Sequence, residues 1–250
     1  MFYTTKGLIL RETQYKDNDK LLSVLTDELG LITAKARGVK RKNSKLRSGC
    51  GLLTFSELTL FEKNGYYTVN EAEPLQLFHG LRQDLELLSL GSYFAQVLET
   101  VSTEGQSDPE VLALGLNCLY ALDALKKPQV TVKAVFELRL MCLLGYAPML
   151  EGCGVCGAAE GVRFALDHGI LLCDVCLKTA SGGETVRLSP GVLEAMRYIC
   201  SCEKQRLFLF TLPDSALREL GSVTERFLLT QLGQGFPSLN FYKRLFTTSM

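Results

Sequence analysis

The chain has 250 residues, of which 47% are hydrophobic, and its formal net charge at pH 7 is zero. This length and composition favour a soluble globular protein of one or two domains, and the lack of an apolar run of about 18 residues or of an export signal predicts a cytoplasmic protein without a membrane partner. The charge is uneven: residues 1–49 hold 11 Lys/Arg against 5 Asp/Glu, so we expect a polyanionic partner at this end.

The first eighty residues predict a small barrel. Apolar or alternating runs at 6–11, 21–26, 31–36, 52–61 and 66–75 predict five strands, and Gly30 and Asn64-Gly65 suit tight hairpin turns. Five strands over this length fit a Greek-key barrel of the OB type, which binds single-stranded nucleic acid through cations and stacking aromatics. The candidates for stacking are Tyr3, Tyr15, Tyr66 and Tyr67, with packing on the barrel as the alternative for each.

A run of cations lies between the third and fourth predicted strands. We call residues 33–47 the basic segment; no Asp or Glu occurs from Leu29 to Ser56. Because nothing local neutralises this charge, the segment is expected to contact nucleic acid, although a solvated surface loop is the alternative. The candidate nucleic-acid-binding residues are Lys35, Arg37, Lys40, Arg41, Lys42, Lys45 and Arg47.

From residue 81 onward the apolar periodicity is that of helices. Apolar residues at helical spacing, together with residues that favour the start of a helix, predict five helices. Three of them cover 85–101, Asp108-Pro109 to about 125, and 130–144, and the other two begin at Ser189-Pro190 and at Asp214. We therefore expect an OB-fold domain at 1–80 and a helical domain at 81–250, with a segment at 150–182 inserted into it. The aromatic and basic tail at 237–246 is expected to pack on the helices, with a contact to DNA or protein as the alternative.

Four of the nine cysteines form two Cys-x-x-Cys pairs with sixteen residues between them. Cys153, Cys156, Cys173 and Cys176 can supply four thiolates to tetrahedral Zn²⁺ and leave no position for water, so one structural zinc ion is expected. Free thiols or a redox pair are the alternative. The predicted fold class is α+β multidomain: an N-terminal OB-type β-barrel, then an all-α domain with an inserted, zinc-ribbon-like segment that carries the four cysteines.

The barrel sequence also resembles a known family. Residues 6–12, 19–26 and 30–41, in which a strand, Asp-Lys-Leu, Ala-Arg-Gly and the basic segment follow in order, are similar to the N-terminal domain of RecO, the bacterial recombination mediator. The likeness extends more loosely over the helices and the cysteine pairs, which only some members carry. It implies a nucleoid-associated protein that binds single- and double-stranded DNA, anneals complementary strands, and works with RecR and the C-terminal tail of single-stranded DNA-binding protein to place RecA on gapped DNA.

No catalytic motif stands out in the sequence. G-x-x-x-x-G-K-[ST], H-E-x-x-H and G-x-S-x-G are absent, and two histidines leave little material for acid-base chemistry, so we expect a protein that is not an enzyme. Two alternatives stay open at this point. One is an RNA-binding or RNA-modifying OB-fold protein with a structural zinc; the other is a zinc-stabilised adaptor whose basic segment is only surface.

Overall fold

A closed five-stranded barrel forms the N-terminal part of the chain. The structure is a computed structural model that describes residues 1–159, 163–179 and 183–248. The strands are β1 (Phe2–Gln14), β2 (Lys20–Thr26), β3 (Gly30–Ala36), β4 (Phe55–Lys63) and β5 (Tyr66–Gln76). They pair in the order β1-β2-β3-β5-β4 and close on themselves, which is the connectivity of an OB barrel. The predicted barrel is confirmed.

Alternating side chains fill the barrel and local turn signals set its hairpins. Inward positions such as Leu22, Val24 and Leu58 are fully buried. Asn64 and Gly65 both have positive φ, 54° and 79°, as a two-residue type I′ hairpin requires. The fourth strand begins at Phe55, three residues later than predicted, because residues 51–54 form a turn instead. The N–H of Leu53, at φ 56°, donates to the carbonyl of Ile9 at 2.8 Å.

The barrel closes through a short parallel pairing of β3 with β5, which we call the seam. Its register places Lys35 beside Thr68, flanked by the pairs Ala34–Tyr67 and Ala36–Val69. Ala34, Ala36 and Val69 are buried. Since side chains alternate along a strand, Lys35 and Thr68 point outward, and so does Tyr66.

Four helices belong to the same compact unit as the barrel, which comprises residues 1–126 and the chain from 236 onward. They are α1 (His79–Gln83), α2 (Leu85–Val101), α3 (Pro109–Asp123) and α8 (Pro237–Thr248). Asp108 caps α3 as predicted, accepting from the N–H of Val111 at 3.1 Å. The tail forms α8, whose Leu239 and Tyr242 are buried, and the N–H of Ser238 donates to Gln96 of α2 at 3.2 Å. The predicted packing of the tail on the helices is confirmed.

The second compact unit covers residues 127–235. Its helices are α4 (Gln129–Leu143), α5 (Asp174–Thr179), α6 (Pro190–Ser201) and α7 (Asp214–Leu232), with a short 3-10 turn at Lys204–Arg206. The strands β6 (Met149–Cys153), β7 (Arg163–Ala165), β8 (Ile170–Leu172) and β9 (Thr185–Arg187) form a sheet of order β6-β8-β7-β9. Phe164 of β7 packs edge-on against Phe227 of α7 at 5.2 Å between ring centroids.

A buried ion network ties α4 to α7. The ammonium of Lys133 lies 2.8 Å from the carboxylate of Glu137 and 2.8 Å from that of Glu225. Glu137 also accepts from the hydroxyl of Thr224 at 2.9 Å, and its side chain is fully buried. Burial lowers the pKa of Lys133, whereas the two carboxylates raise it. The effect of the carboxylates is larger, so the pKa is raised and the amine stays charged.

The fold class predicted from the sequence is confirmed, since the barrel is followed by a helical domain that carries the cysteine segment. The boundaries at 1–80, 81–250 and 150–182 stay predictions, and residues 160–162, 180–182 and 249–250 within them lie outside the described part of the chain. Of the helices formed by the described residues, none has the length and apolarity needed to cross a membrane.

Candidate nucleic-acid interface and metal centre

The basic segment is anchored to the barrel along much of its length. The N–H of Gly38 donates to the carboxylate of Asp19 at 2.8 Å, and the N–H of Lys40 donates to the carbonyl of Asn18 at 3.1 Å. Val39 is buried in the barrel core. Because these contacts fix the backbone, the segment presents its charges in defined places on the surface.

The structure divides the seven predicted cations into two groups. Lys35 lies in β3 and pairs with Asp19 at 3.3 Å, while Arg37 is exposed just beyond the end of β3. The others are exposed on the turns that follow: Lys40, Arg41, Lys42, Lys45 and Arg47. The side chain of Lys40 donates to the side-chain amide of Gln14 at 2.9 Å, and that of Arg47 donates to the backbone carbonyl of Lys40 at 3.0 Å. Both acceptors are neutral, so these two cations keep their charge available.

A groove of about 820 Å³ runs along β3 on the outside of the barrel, with Leu21 of β2 on one side and the start of β5 on the other. We call it the first groove. Lys35 and Arg37 line it, as do Tyr15 from the β1–β2 loop and Tyr66 from the β4–β5 hairpin. In OB barrels this face, between these two loops, is the one that binds oligonucleotides. Two of the seven predicted cations therefore lie on that face.

The four candidate tyrosines differ in exposure. Tyr66 is 79% exposed and Tyr15 is 48% exposed, so solvent reaches both rings, and the ammonium groups of Lys16 and Lys35 lie over the ring of Tyr15. Tyr3 and Tyr67 instead pack on the barrel core and contact each other at 6.3 Å between centroids. The ammonium of Lys35 lies 4.4 Å from the centroid of Tyr15, a cation–π distance that places a charge and an aromatic side by side.

Carboxylates limit where a phosphate chain can run in the first groove. Glu28 and Glu104 also line it, and their charge repels phosphates. The favourable path therefore follows the side of the groove that carries Lys35, Arg37 and the exposed tyrosine rings.

The four paired cysteines come together in the second unit. Their sulfur atoms all lie within 4.8 Å of one another, and Cys156 and Cys173, from different pairs, are 3.7 Å apart. Sulfurs at about 2.3 Å from a tetrahedral Zn²⁺ ion are about 3.8 Å from one another, so the spacing fits this metal. Cys153, Cys173 and Cys176 are buried, and Cys156 is exposed.

Backbone N–H groups prepare this cluster for a cation. The N–H of Cys176 points at the sulfur of Cys173 at 3.4 Å, and backbone N–H groups lower the pKa of Cys173 in consequence. The N–H groups of Cys156 and Cys173 lower the pKa of Cys153 to about 6. The pKa of Cys176 is raised to about 12, chiefly by hydrogen bonds with Cys156 and Cys173. Burial and the negative charge of Cys153 act in the same direction. Partial negative charge thus accumulates at a site that a divalent cation would neutralise.

Sequence reasoning missed one exposed cation beside the barrel seam. Lys63, at the end of β4, is exposed next to the Asn64-Gly65 turn and lines a groove together with Tyr66 and Arg37. Its place in the hairpin is visible in the sequence, but the groove that it lines together with Arg37 depends on how the barrel closes.

These features define a class of protein: an OB-type barrel with cations and exposed aromatics on the face that binds oligonucleotides in such barrels, followed by helices that carry a cluster of four cysteines that could hold a metal ion. The family model for "Recombination protein O N terminal" matches residues 1–78, and the one for "Recombination protein O C terminal" matches residues 82–240. The chain belongs to the RecO family.

Individual relatives agree over nearly the whole chain. The DNA repair protein RecO of Acetivibrio thermocellus is 31% identical over 246 residues, which cover 98% of this chain and 97% of the relative. The DNA repair proteins RecO of Alkaliphilus metalliredigens and Desulfitobacterium hafniense are 27% and 29% identical, covering 98% and 97% of this chain and 100% and 90% of those proteins. The family resemblance seen in the sequence is confirmed.

Proposed function

We propose that this chain is a DNA-binding recombination mediator that acts in DNA repair without enzymatic activity of its own. It binds single- and double-stranded DNA, anneals complementary strands, and with RecR and the C-terminal tail of single-stranded DNA-binding protein helps to load RecA. The observation that carries this proposal is the exposed face of the barrel, where Arg37, Tyr15 and Tyr66 line the first groove in a chain of the RecO family. The proposed location is the cytoplasm, at the nucleoid.

Two kinds of contact account for the DNA binding. The exposed cations of the basic segment neutralise phosphates and release counterions, which gives affinity without reading sequence. Stacking of a base on Tyr15 or Tyr66 adds about 1–3 kcal/mol per base and favours single strands, whose bases are free. Lys35 contributes less than the other cations because Asp19 already neutralises it.

Annealing follows from charge neutralisation and needs no nucleotide hydrolysis. Two strands repel each other, and protein cations bound to both lower that repulsion. We therefore expect annealing of naked strands to proceed without ATP and to weaken as salt rises. On strands coated with single-stranded DNA-binding protein, annealing should depend on the acidic tail of that protein, which we place on the helical domain.

The cysteine cluster has a structural role in this proposal. Cys153, Cys156, Cys173 and Cys176 hold one Zn²⁺ ion, which fills all four coordination positions with sulfur and leaves none for substrate. The OB-fold domain at 1–80 binds DNA, and the helical domain at 81–250, with its zinc segment at 150–182, provides the protein contacts.

A salt titration with charge variants tests the proposal. Replacing Lys40, Arg41 and Lys42 with Ala removes three phosphate contacts, so the log–log salt slope should become shallower by about 2 on single strands and about 2.7 on duplex. The control replaces Lys178, Lys204 and Arg206, three exposed cations of the second unit, and should leave the slope on naked DNA unchanged.

Three results would overturn parts of the assignment. An unchanged slope in the basic-segment variant would remove that segment from the interface. A competition experiment compares unlabelled RNA and unlabelled DNA of the same sequence. If RNA displaced the bound DNA at about one tenth of the concentration at which DNA does, an RNA-binding function would be favoured instead. An absolute requirement for ATP in annealing would exclude the proposed mechanism.

A further inference from the structure

A second groove lies beside the first, on the other side of the barrel seam. It measures about 700 Å³ and runs over β4 and β5, where Phe61, Lys63, Asn70 and Glu71 line it. The first groove runs along β3. Both grooves are open on the outside of the barrel. Lys63 lines only the second groove, and Lys35, which pairs with Asp19, lines only the first.

Three residues line both grooves: Arg37, Tyr66 and Thr68. They lie on the seam, because Tyr66 and Thr68 belong to β5 and Arg37 follows directly after the paired residues of β3. Together they form a ridge that separates the grooves. Arg37 and Tyr66 are exposed, and among the described residues Arg37 has no ion-pair partner.

We infer that the ridge is the place where two strands of nucleic acid are held at once, one in each groove, with Arg37 as a cation shared between them. This inference rests on the proposed function and adds to it the position of the second strand. Neighbouring β-strands are about 4.8 Å apart, so a groove along β3 and one between β5 and β4 are centred about 7 Å apart.

The distance makes a shared cation effective. At 0.1 M salt the Debye length is about 10 Å, so two phosphate chains across the ridge still repel each other noticeably. A guanidinium between them attracts both chains and is always charged. The exposed ring of Tyr66, which lines both grooves as Arg37 does, can stack a base from either groove.

The shared position predicts a specific ratio between two charge variants. One phosphate contact at about 4 Å in water is worth a factor of about five in an equilibrium constant. Lys63→Ala removes a contact with one strand, so the overall constant for assembling protein with two strands should fall about five-fold. Arg37→Ala removes a contact with both strands, so the same constant should fall about 25-fold.

The experiment uses the full chain and two non-complementary DNA strands, which cannot pair. One strand is immobilised, the other is fluorescent, and capture of the fluorescent strand reports the complex with two strands, while anisotropy reports binding of one. Capture should rise in proportion to the protein concentration. Arg37→Lys should restore most of the loss because the charge remains, and matching melting temperatures exclude misfolding as the cause.

The outcomes separate this inference from the proposed function. The shared-cation ridge would be overturned if Arg37→Ala and Lys63→Ala lost capture equally. It would also be overturned if capture rose with the square of the protein concentration. In both cases the proposed binding of one strand would stand. Failure of the unaltered protein to bind one strand would overturn the proposed function itself. A loss of about 25-fold for Arg37→Ala against about five-fold for Lys63→Ala supports the ridge.

Discussion

Removal of one metal ligand should unfold the cysteine knuckles while sparing the rest of the molecule. The test variant is Cys156→Ser, because Cys156 is the exposed ligand and its replacement leaves no cavity in the core. Val155→Ser is the matched control: Val155 is 65% exposed in the same knuckle and binds no metal. Any difference between the two variants then comes from the metal.

The magnitude follows from how little apolar core surrounds the cluster. Besides the buried ligands, this core consists of Ala165 and Leu172, with Ile170 and Leu177 packed against it. Burying such side chains contributes about 5–9 kcal/mol in total. Ordering roughly a dozen knuckle residues costs about 12–24 kcal/mol. The midpoints of these two ranges leave a deficit of about 11 kcal/mol, which lies within the apparent value of about 10–16 kcal/mol that a structural zinc site supplies.

Hydrogen exchange and elemental analysis measure the effect. In Cys156→Ser, bound zinc should fall well below one per chain, and the amides of α5 and of Gly154–Gly157 should exchange without protection. Amides of β7 should stay protected, because Phe164 packs on Phe227 of α7 on the other face of the sheet. Affinity for single-stranded DNA should stay within about two-fold, since the cations of the basic segment lie in the other unit.

Two results would refute this reasoning. Protein purified under reducing conditions without chelator could contain no zinc, which would mean that the thiols do not hold this metal. Alternatively, the knuckles could keep their protection in Cys156→Ser, which would mean that apolar packing is sufficient and that the energy balance is wrong.

Two further predictions concern buried and anchoring charges. Lys133→Met removes the ammonium that pairs with the fully buried Glu137, so the free energy of unfolding in urea should fall by about 3–5 kcal/mol. The double variant Lys133→Met with Glu137→Gln should recover part of this lost stability. A loss below about 1 kcal/mol in Lys133→Met would contradict the stabilising role of the ion network. Asp19→Asn should free Lys35 and steepen the salt slope on single strands by up to about 0.7. The hydrogen bond from the N–H of Gly38 and the charge of Lys35 hold the pKa of Asp19 below 3.8. The stabilising effect of the Asp19 carboxylate is therefore present above pH 3.8 and is lost as the pH falls through the lower pKa of the folded state. The acid unfolding curves of the unaltered protein and of Asp19→Asn should converge at low pH, and parallel curves would contradict a stabilising role of Asp19.

Signals that act over a few residues could be predicted from the sequence. Asn64-Gly65 predicted a hairpin because both residues adopt positive φ readily, and a type I′ turn, which has positive φ at both positions, matches the twist of the strands. Asp108 predicted a helix start because its side chain can accept from an N–H three residues later. The spacing of the cysteines predicted that their four sulfurs come together, since each pair presents two sulfurs from one short turn.

Charge availability could not be predicted in the same way. The basic segment contains only cations, yet Lys35 is neutralised by Asp19, which lies outside the segment and meets it only because β2 pairs with β3. Counting cations along the segment therefore overstates the number of free charges. The tyrosines show the same limit: adjacent residues of a strand point to opposite faces, so one of Tyr66 and Tyr67 had to be exposed, but the sequence did not say which.

The division of the basic segment between two roles depends on one turn. Gly38 has φ 63°, a left-handed conformation that suits glycine, and its N–H is bound to Asp19. The turn at residues 37–40 follows directly after β3. Arg37 therefore stays on the seam, where two grooves meet, while the cations that follow spread over the adjoining surface. A continuous strand would have alternated those side chains between the barrel interior and solvent, so the turn allows successive cations to be exposed together.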